Sequence, residues 1–545
     1  MRARNILVAA AVLAVVAGGA GWAALRPTAS APDSDVAADA PVITEPAVEG
    51  RLVSGADVHM ETAPAAAGAA AHGHAATLGC TDWEIWTVQP AQRVWFGGCV
   101  GGTQKVHAHL GDGVFENEFA GRRDLAPDRD YALRVRYRFD QAAGQTVWGP
   151  YAQRAFRTDQ QRKALPTGER WTVRQPGYRV EEVAGGFELP VHIAMVPEHS
   201  DDRDKPLAYV TELYGSIKVI TGDFRTRTYA GKLLNFDPSG TFPGKGETGV
   251  TGVVVEPRTG DVFAAVLHES GGKHYPRVIR LHSEDGGLHA KTQTTVLDMP
   301  GESQEAAHQI SQLNIGPDGR LYVHMGDGMT PETARDLDSF RGKILRLNLD
   351  GTAPDDNPYY DARDGITSRD YVYALGFRNP FGGAWRPGGG YYEVENGTSI
   401  DRLAKVDKGV DYQWNGERES MRQPALYVWE RSTAPTAIAF IDPQVNHGAG
   451  FPQDKYGHMF VAESGPTYAV GPQELGKRIV EFTFRPDGSV TGPQPLIEYN
   501  GKGRSTVVGL AAGPDGLYFT ALWPDGEKDK PTSADAKVYR VRYTG

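Results

Sequence analysis

The chain reads as all-β, a six-bladed β-propeller preceded by a smaller β-sandwich domain. Three observations lead there. Helix-period patterns are scarce, while 66 Gly and 36 Pro punctuate short runs rich in Tyr, Phe, Val and Trp. A turn-then-strand unit recurs around Pro197, Pro257, Pro317, Pro387, Pro452 and Pro514, at intervals of 60, 60, 70, 65 and 62 residues. Units of that length hold four strands each, and six stacked radially make a propeller. Upstream, "DLAPDRDYALRVRYRFD" is a turn followed by an alternating strand, and "TVWGPYAQRAFRT" continues the pattern.

The elements follow in chain order. Arg2 and Arg4 precede an apolar run from Ile6 to Leu25, and "ASA" (Ala29 to Ala31) offers a small-residue cleavage site. Residues 1–31 therefore read as an export signal, with an uncleaved membrane anchor over 6–25 as the alternative. The protein is accordingly expected outside the cytoplasm. Residues 32–75 are rich in Ala, Pro, Asp, Gly and Val and read as a flexible spacer, with His72 and His74 as solvated linker side chains. Residues 76–160 form the sandwich, 161–178 a connecting segment and 179–545 the propeller. Cys80 and Cys99 are the two cysteines, an even pair at close spacing that reads as one disulfide.

The formal net charge of −11 and the lack of a basic stripe argue against nucleic acid as a partner. Leu125, Pro127 and Tyr131 match a Leu-x-Pro-x-x-x-Tyr pattern, and by it residues 76–160 resemble a fibronectin type III domain. That resemblance implies a spacer or binding module, not catalysis.

The chemistry gathers in the propeller. "AAHQISQLNIGPDGRLYVHMGDG" (306–328) contains one repeat unit plus two features that the repeat does not require, His308-Gln309 and the Asp327 of "GDG". Glu212, Glu269, Asp327, Glu395 and Glu463 end the repeated strands, where each caps a turn or lines a site at the channel mouth. "FRGKILRLNLDGTAPDDNPYY" (340–360), "YALGFRNPFGGAWRP" (373–387), "YYEVENG" and "GVDYQW" complete the set. Together these segments resemble the glucose and sorbosone dehydrogenases, soluble sugar dehydrogenases that use pyrroloquinoline quinone (PQQ), over roughly 180–545.

The resemblance implies oxidation of a sugar at its anomeric carbon, with hydride passing to the quinone and a small-molecule sugar as the substrate. It makes His308 the general base, since a neutral imidazole suits proton removal from a hydroxyl. Asp327 would orient the ring. Gln309, Arg378 and Asn379 would face the cofactor, with Glu247, Lys477 and Arg504 as further contacts. Trp414 and Tyr412 read as packing residues. The carbonyls of Asn396 and Gly397 would hold Ca2+ beneath the quinone.

Departures from the family pattern fall on the cofactor side. Thr506 and Val508 stand where two arginines clamp the PQQ carboxylates. Glu247 replaces a glutamine, Thr398 a proline, and Asp401-Arg402 an acidic pair. These changes weaken the expectation of PQQ and of a second calcium. The alternative function is a non-catalytic propeller that binds carbohydrate or protein. A calcium-dependent lactone hydrolase is a third reading, against which the "HQ" and "FRN" segments speak.

Overall fold

The computed structural model describes residues 40–545 except 54, 56–57, 59, 64–69, 72–73, 123, 142–144, 159–165, 169, 198–202, 239–246, 305–306, 445–446, 466–475, 502, 504 and 525–533. The signal or anchor segment, His72 and Arg504 lie outside the described residues. So does the start of the expected spacer. The chain divides into two units, 1–163 and 164–545, and no α-helix occurs among the described residues.

In the first unit a three-stranded sheet runs Ile43–Glu45, Met60–Thr62, His107–Ala108. A larger sheet runs Arg51–Val53, Ala152–Thr158, Asp130–Gln141, His74–Thr87, Gln92–Val100, Val114–Phe115. Alternate residues of the long strands (Trp83, Ile85, Leu133, Val135) are buried with Trp95 and Phe156 between the sheets. The Tyr131 hydroxyl donates to the Ala126 carbonyl (3.3 Å) and accepts from the Ala126 N–H (3.0 Å), pinning the turn before its strand. Cys80 and Cys99 form the expected disulfide.

The spacer reading of 32–75 needs correction over its described part. Ile43, Val53, Val58 and Met60 are core residues, and four short strands and the start of a fifth are built from this stretch. Strands of three residues show no readable alternation, so Ala- and Pro-rich flanks masked them.

The second unit contains six sheets. Their innermost strands are Pro190–Met195, Val250–Val255, Ile310–Ile315, Pro380–Trp385, Pro435–Phe440 and Val507–Gly513. Each packs against the next, and the last packs against the first, so the ring closes around a central channel. Every blade is antiparallel, as short hairpin connections dictate. The sixth is completed by an upstream strand, Tyr178–Phe187, paired with Ala536–Tyr543, so the two ends of the unit are stitched together.

The connecting segment also proves shorter than expected. Trp171–Val173 is a fifth strand on the fifth blade, and Trp171 packs among Tyr499, Phe519 and Tyr539. Each blade is apolar on both faces, because it is sandwiched between two others. Hence "LYVHM" and "MFVAE" are buried at all five positions rather than at alternate ones.

Candidate active site

The loops that lead into the innermost strands, and those that follow the second strands, meet at one end of the channel. His308 lies two residues before Ile310–Ile315, Asn379 one residue before Pro380–Trp385, and Glu247 three before Val250–Val255. Asp327 follows Leu321–Met325.

His308 is 7% exposed and adopts the left-handed backbone region, φ +58°. For a non-glycine residue that conformation costs on the order of 1 kcal/mol and needs surrounding contacts to hold it. Those contacts are present. The His308 N–H donates to the Glu247 carboxylate, and its carbonyl accepts the Gly328 N–H at 3.0 Å. Gly326 lies against the same carbonyl so closely that a Cβ there would come within 2.2 Å of the oxygen. Gly328 itself has φ +59°. Both glycines of "GDG" are thus required by the shape of the histidine loop.

The side chain is held as firmly. His308 Nδ1 is 2.6 Å from Asp327 Oδ1. Asp327 is 1% exposed, and its other oxygen, Oδ2, accepts the Trp414 indole N–H at 2.8 Å. Oδ1 also takes the Met329 N–H at 3.0 Å. A carboxylate that already accepts from Trp414 and Met329 is an acceptor toward His308 as well, so Nδ1 carries the proton and Nε2 is the other ring nitrogen. Trp414, expected only to pack, is therefore part of the site. It lies 87 residues from Asp327 in sequence, and nothing local to it signals the contact.

Glu247 joins two site residues. One oxygen takes the His308 N–H and the other accepts from Asn379 Nδ2 at 3.3 Å. Asn379 is buried, and its Oδ1 has no hydrogen-bond partner among the described residues. Gln309, 1% exposed, reaches Thr248 Oγ1 at 3.5 Å. Arg378 turns to its own neighbourhood. Its guanidinium donates to the Asn396 carbonyl at 2.7 Å and lies 5.8 Å from the Trp414 ring centroid. Burial pulls its pKa down, and the carboxylates of Asp327, Glu395, Glu247 and Asp401 oppose that.

A cavity occupies this end of the channel. Val191, Leu213, Phe381, Val508 and Leu522 give it apolar walls, and Glu247 is the carboxylate in its lining. No lysine or arginine lines it among the described residues. Val508, at one position where an arginine would clamp PQQ, is part of the wall. Thr506, at the other, is buried and donates to the Ser464 carbonyl. Lys477 is also buried, its Nζ donating to the Gly503 carbonyl at 3.3 Å, and burial lowers its pKa to about 8. A ligand with three carboxylates does not fit this lining as the described residues stand.

One carbonyl of the expected calcium set is already engaged by protein. The Asn396 carbonyl takes the Arg378 guanidinium, and Asn396 Nδ2 donates to the Pro435 carbonyl. The Gly397 N–H donates to Asp401, whose carboxylate also accepts from Ser432 and from the N–H groups of Thr433 and Ala434. Arg402, with no exposed surface, forms an ion pair with Glu395. Each carboxylate is thus satisfied by protein donors, and no cluster of three His, Cys, Asp or Glu groups suited to a metal occurs among the described residues.

The other strand-end carboxylates are structural. Glu212 accepts from Ser216 and the Glu188 N–H, and Glu463 pairs with Arg478 and Trp429. Glu269 lies 3.6 Å from His274. Asp327 alone of the five holds a histidine of the site. Tyr412 does pack, its ring stacked 4.6 Å from Phe377.

The second unit is thus a closed ring of β-sheets with a histidine–aspartate pair at the channel mouth. Comparison narrows it. Residues 187–448 match the family model "Glucose / Sorbosone dehydrogenase". The quinoprotein glucose dehydrogenase B of Acinetobacter calcoaceticus is 35% identical over 127 residues, 20% of this chain and 26% of that protein. The match thus spans only about a quarter of that relative's length. An aldose sugar dehydrogenase of Escherichia coli is 26% identical over 272 residues, 44% of this chain and 71% of its own. The PQQ-bound aldose sugar dehydrogenase of Streptomyces coelicolor superposes with a TM-score of 0.50 at 20% identity, covering 68% of this chain and 98% of that one, which speaks to the fold. The resemblance that the motifs carry is thereby shown for the second unit.

Proposed function

We propose that the propeller is a sugar dehydrogenase-type oxidoreductase in which His308 takes the proton from a sugar hydroxyl. The observation that carries this reading is the His308–Asp327 pair at 2.6 Å, backed by Trp414. Asp327 holds the imidazole with Nε2 toward the ligand and stabilises the imidazolium once the proton has moved. Asn379 and Glu247 fix the loop around it. Aldoses are the substrate class, as in the relatives' names.

The quinone side differs. The Acinetobacter relative is a quinoprotein and the Streptomyces structure holds PQQ, but the described residues here offer that anion no cationic clamp. No step through PQQ is therefore assigned. The same observation favours a second reading, a propeller that binds a neutral carbohydrate, or a protein, without oxidising it.

One titration separates the two. Purified protein is given PQQ and Ca2+, and cofactor binding and dye reduction are followed with a panel of aldoses. Saturable binding with dye reduction supports the dehydrogenase. Binding of aldoses with no uptake of micromolar PQQ supports the second reading and sinks the first.

The first unit is read as a fibronectin type III-like module, supported by its two-sheet order and the Tyr131 turn. Export is supported by the Cys80–Cys99 disulfide, which persists in oxidising compartments.

A further inference from the structure

The first unit carries a second place where chemistry-bearing side chains converge. In its three-stranded sheet, Met60 pairs with Ala108 and Glu61 with His107, while Glu45 pairs with Glu61. Met60 and Ala108 are fully buried in the core. By the two-residue period of a strand, Glu61 and His107 point to the opposite, outer face. His109, two residues on, lies on that face as well. Its ring meets that of His107, with centroids 4.7 Å apart and the two Nε2 atoms 2.7 Å apart. The His109 N–H donates to Asp112 Oδ2 at 2.8 Å, which fixes the backbone where the second imidazole leaves the strand.

Two Nε2 atoms at this distance cannot both carry a proton. One must present its lone pair to the other, so the pair is held in a state with at most one proton between the rings. A divalent transition metal does the same job with two bonds. We propose that His107 and His109 form a surface site for a borderline transition metal ion of the Zn2+, Cu2+ or Ni2+ class, which imidazole ligands suit. A tetrahedral Zn2+ with bonds of about 2.0 Å sets its two nitrogens roughly 3.3 Å apart. The rings need part only slightly from their 2.7 Å contact to admit it. Glu61 is the cross-strand partner of His107 and shares its face of the sheet. No cluster of three His, Cys, Asp or Glu groups suited to a metal occurs among the described residues, so the proposed site is a two-histidine one.

The test uses the full chain, stripped with chelator and dialysed against Zn2+ at pH 7.5. The chain has 15 histidines, so the decision rests on differences between wild type and single variants. His107→Gln and His109→Gln should each weaken zinc binding at one site by at least about tenfold, since even loss of an outer-shell partner costs that much. Cu2+ bound to wild type should show coupling to two nitrogens, reduced to one in either variant. Unchanged zinc affinity in both variants, or a copper signal indifferent to them, would overturn the site. Melting temperatures without metal check that each variant folds, and either variant alone suffices for the decision.

Discussion

The two halves of the channel mouth are built to different standards. On one side His308, Asp327, Trp414, Glu247 and two glycines fix a single imidazole through backbone and side-chain contacts alike. On the other, the positions that would grip an anionic cofactor are an apolar wall residue, Val508, and a threonine turned to the backbone, Thr506. A strained histidine, φ +58°, kept in place at some cost indicates a loop with a task. Among the described residues that wall carries no lysine or arginine. The difference is between a histidine held from every side and, among the described residues, a wall that offers an anion no charged partner.

The sharpest way to break that contrast is at the base. His308→Ala should lower turnover by about 10²- to 10⁴-fold, the usual worth of a positioned general base, with ligand binding by calorimetry largely intact. Activity that survives would place the base elsewhere. Next comes the loop. Gly326→Ala drives a methyl group toward the His308 carbonyl, which lies 2.2 Å from the Cβ position. The loop must move, and a shift of about 1 Å at a catalytic group costs on the order of 10²-fold in rate. The melting temperature should fall far less than the activity. Equal losses would show that the glycine serves the blade and not the histidine.

Much of the fold was legible and part of the site was not, for reasons that lie in sequence distance. The Pro-centred turns are local chemistry, so the six-unit period could be read directly, and Asp327 stands only 19 residues from His308. Trp414 reaches Asp327 from 87 residues away, and Glu247 reaches the His308 N–H from 61, and neither position carries a local mark of its partner. The short strands around Ile43, Arg51 and Met60 failed for the opposite reason, being too brief for any period to appear. Arg378 is expected to face the cofactor, but its guanidinium is turned to the Asn396 carbonyl, a direction that only packing decides.

The cofactor side can be sharpened by adding what it lacks. Val508 lines the cavity, so Val508→Arg puts a guanidinium within it. A hydrogen-bonded charge pair contributes about 1.5–3 kcal/mol, so PQQ affinity should rise by roughly ten- to a hundredfold. Fluorescence titration reads this directly. An unchanged affinity would mean that the wall at Val508 is not where the anion would sit, and the contrast between the halves would fail.

The smallest effect concerns stability rather than activity, and it separates the channel from the surface. Burial holds the His192 pKa down at about 4 and that of His324 at about 3. Both sit near 6.5 in an unfolded chain. Above pH 6.5 neither state binds the proton, so these groups are neutral in their effect. As pH falls below 6.5 the unfolded chain takes up protons that the folded channel refuses. Stability should then drop by up to about 1.4 kcal/mol per pH unit for each histidine, until the folded-state values are reached. Urea denaturation at pH 7, 6 and 5 measures the slope. His192→Asn, which removes one of the two groups, should flatten the slope between pH 6 and 5 relative to wild type. An identical slope would show that the channel histidines accept protons in the folded state and that this end of the propeller is wetter than its packing implies.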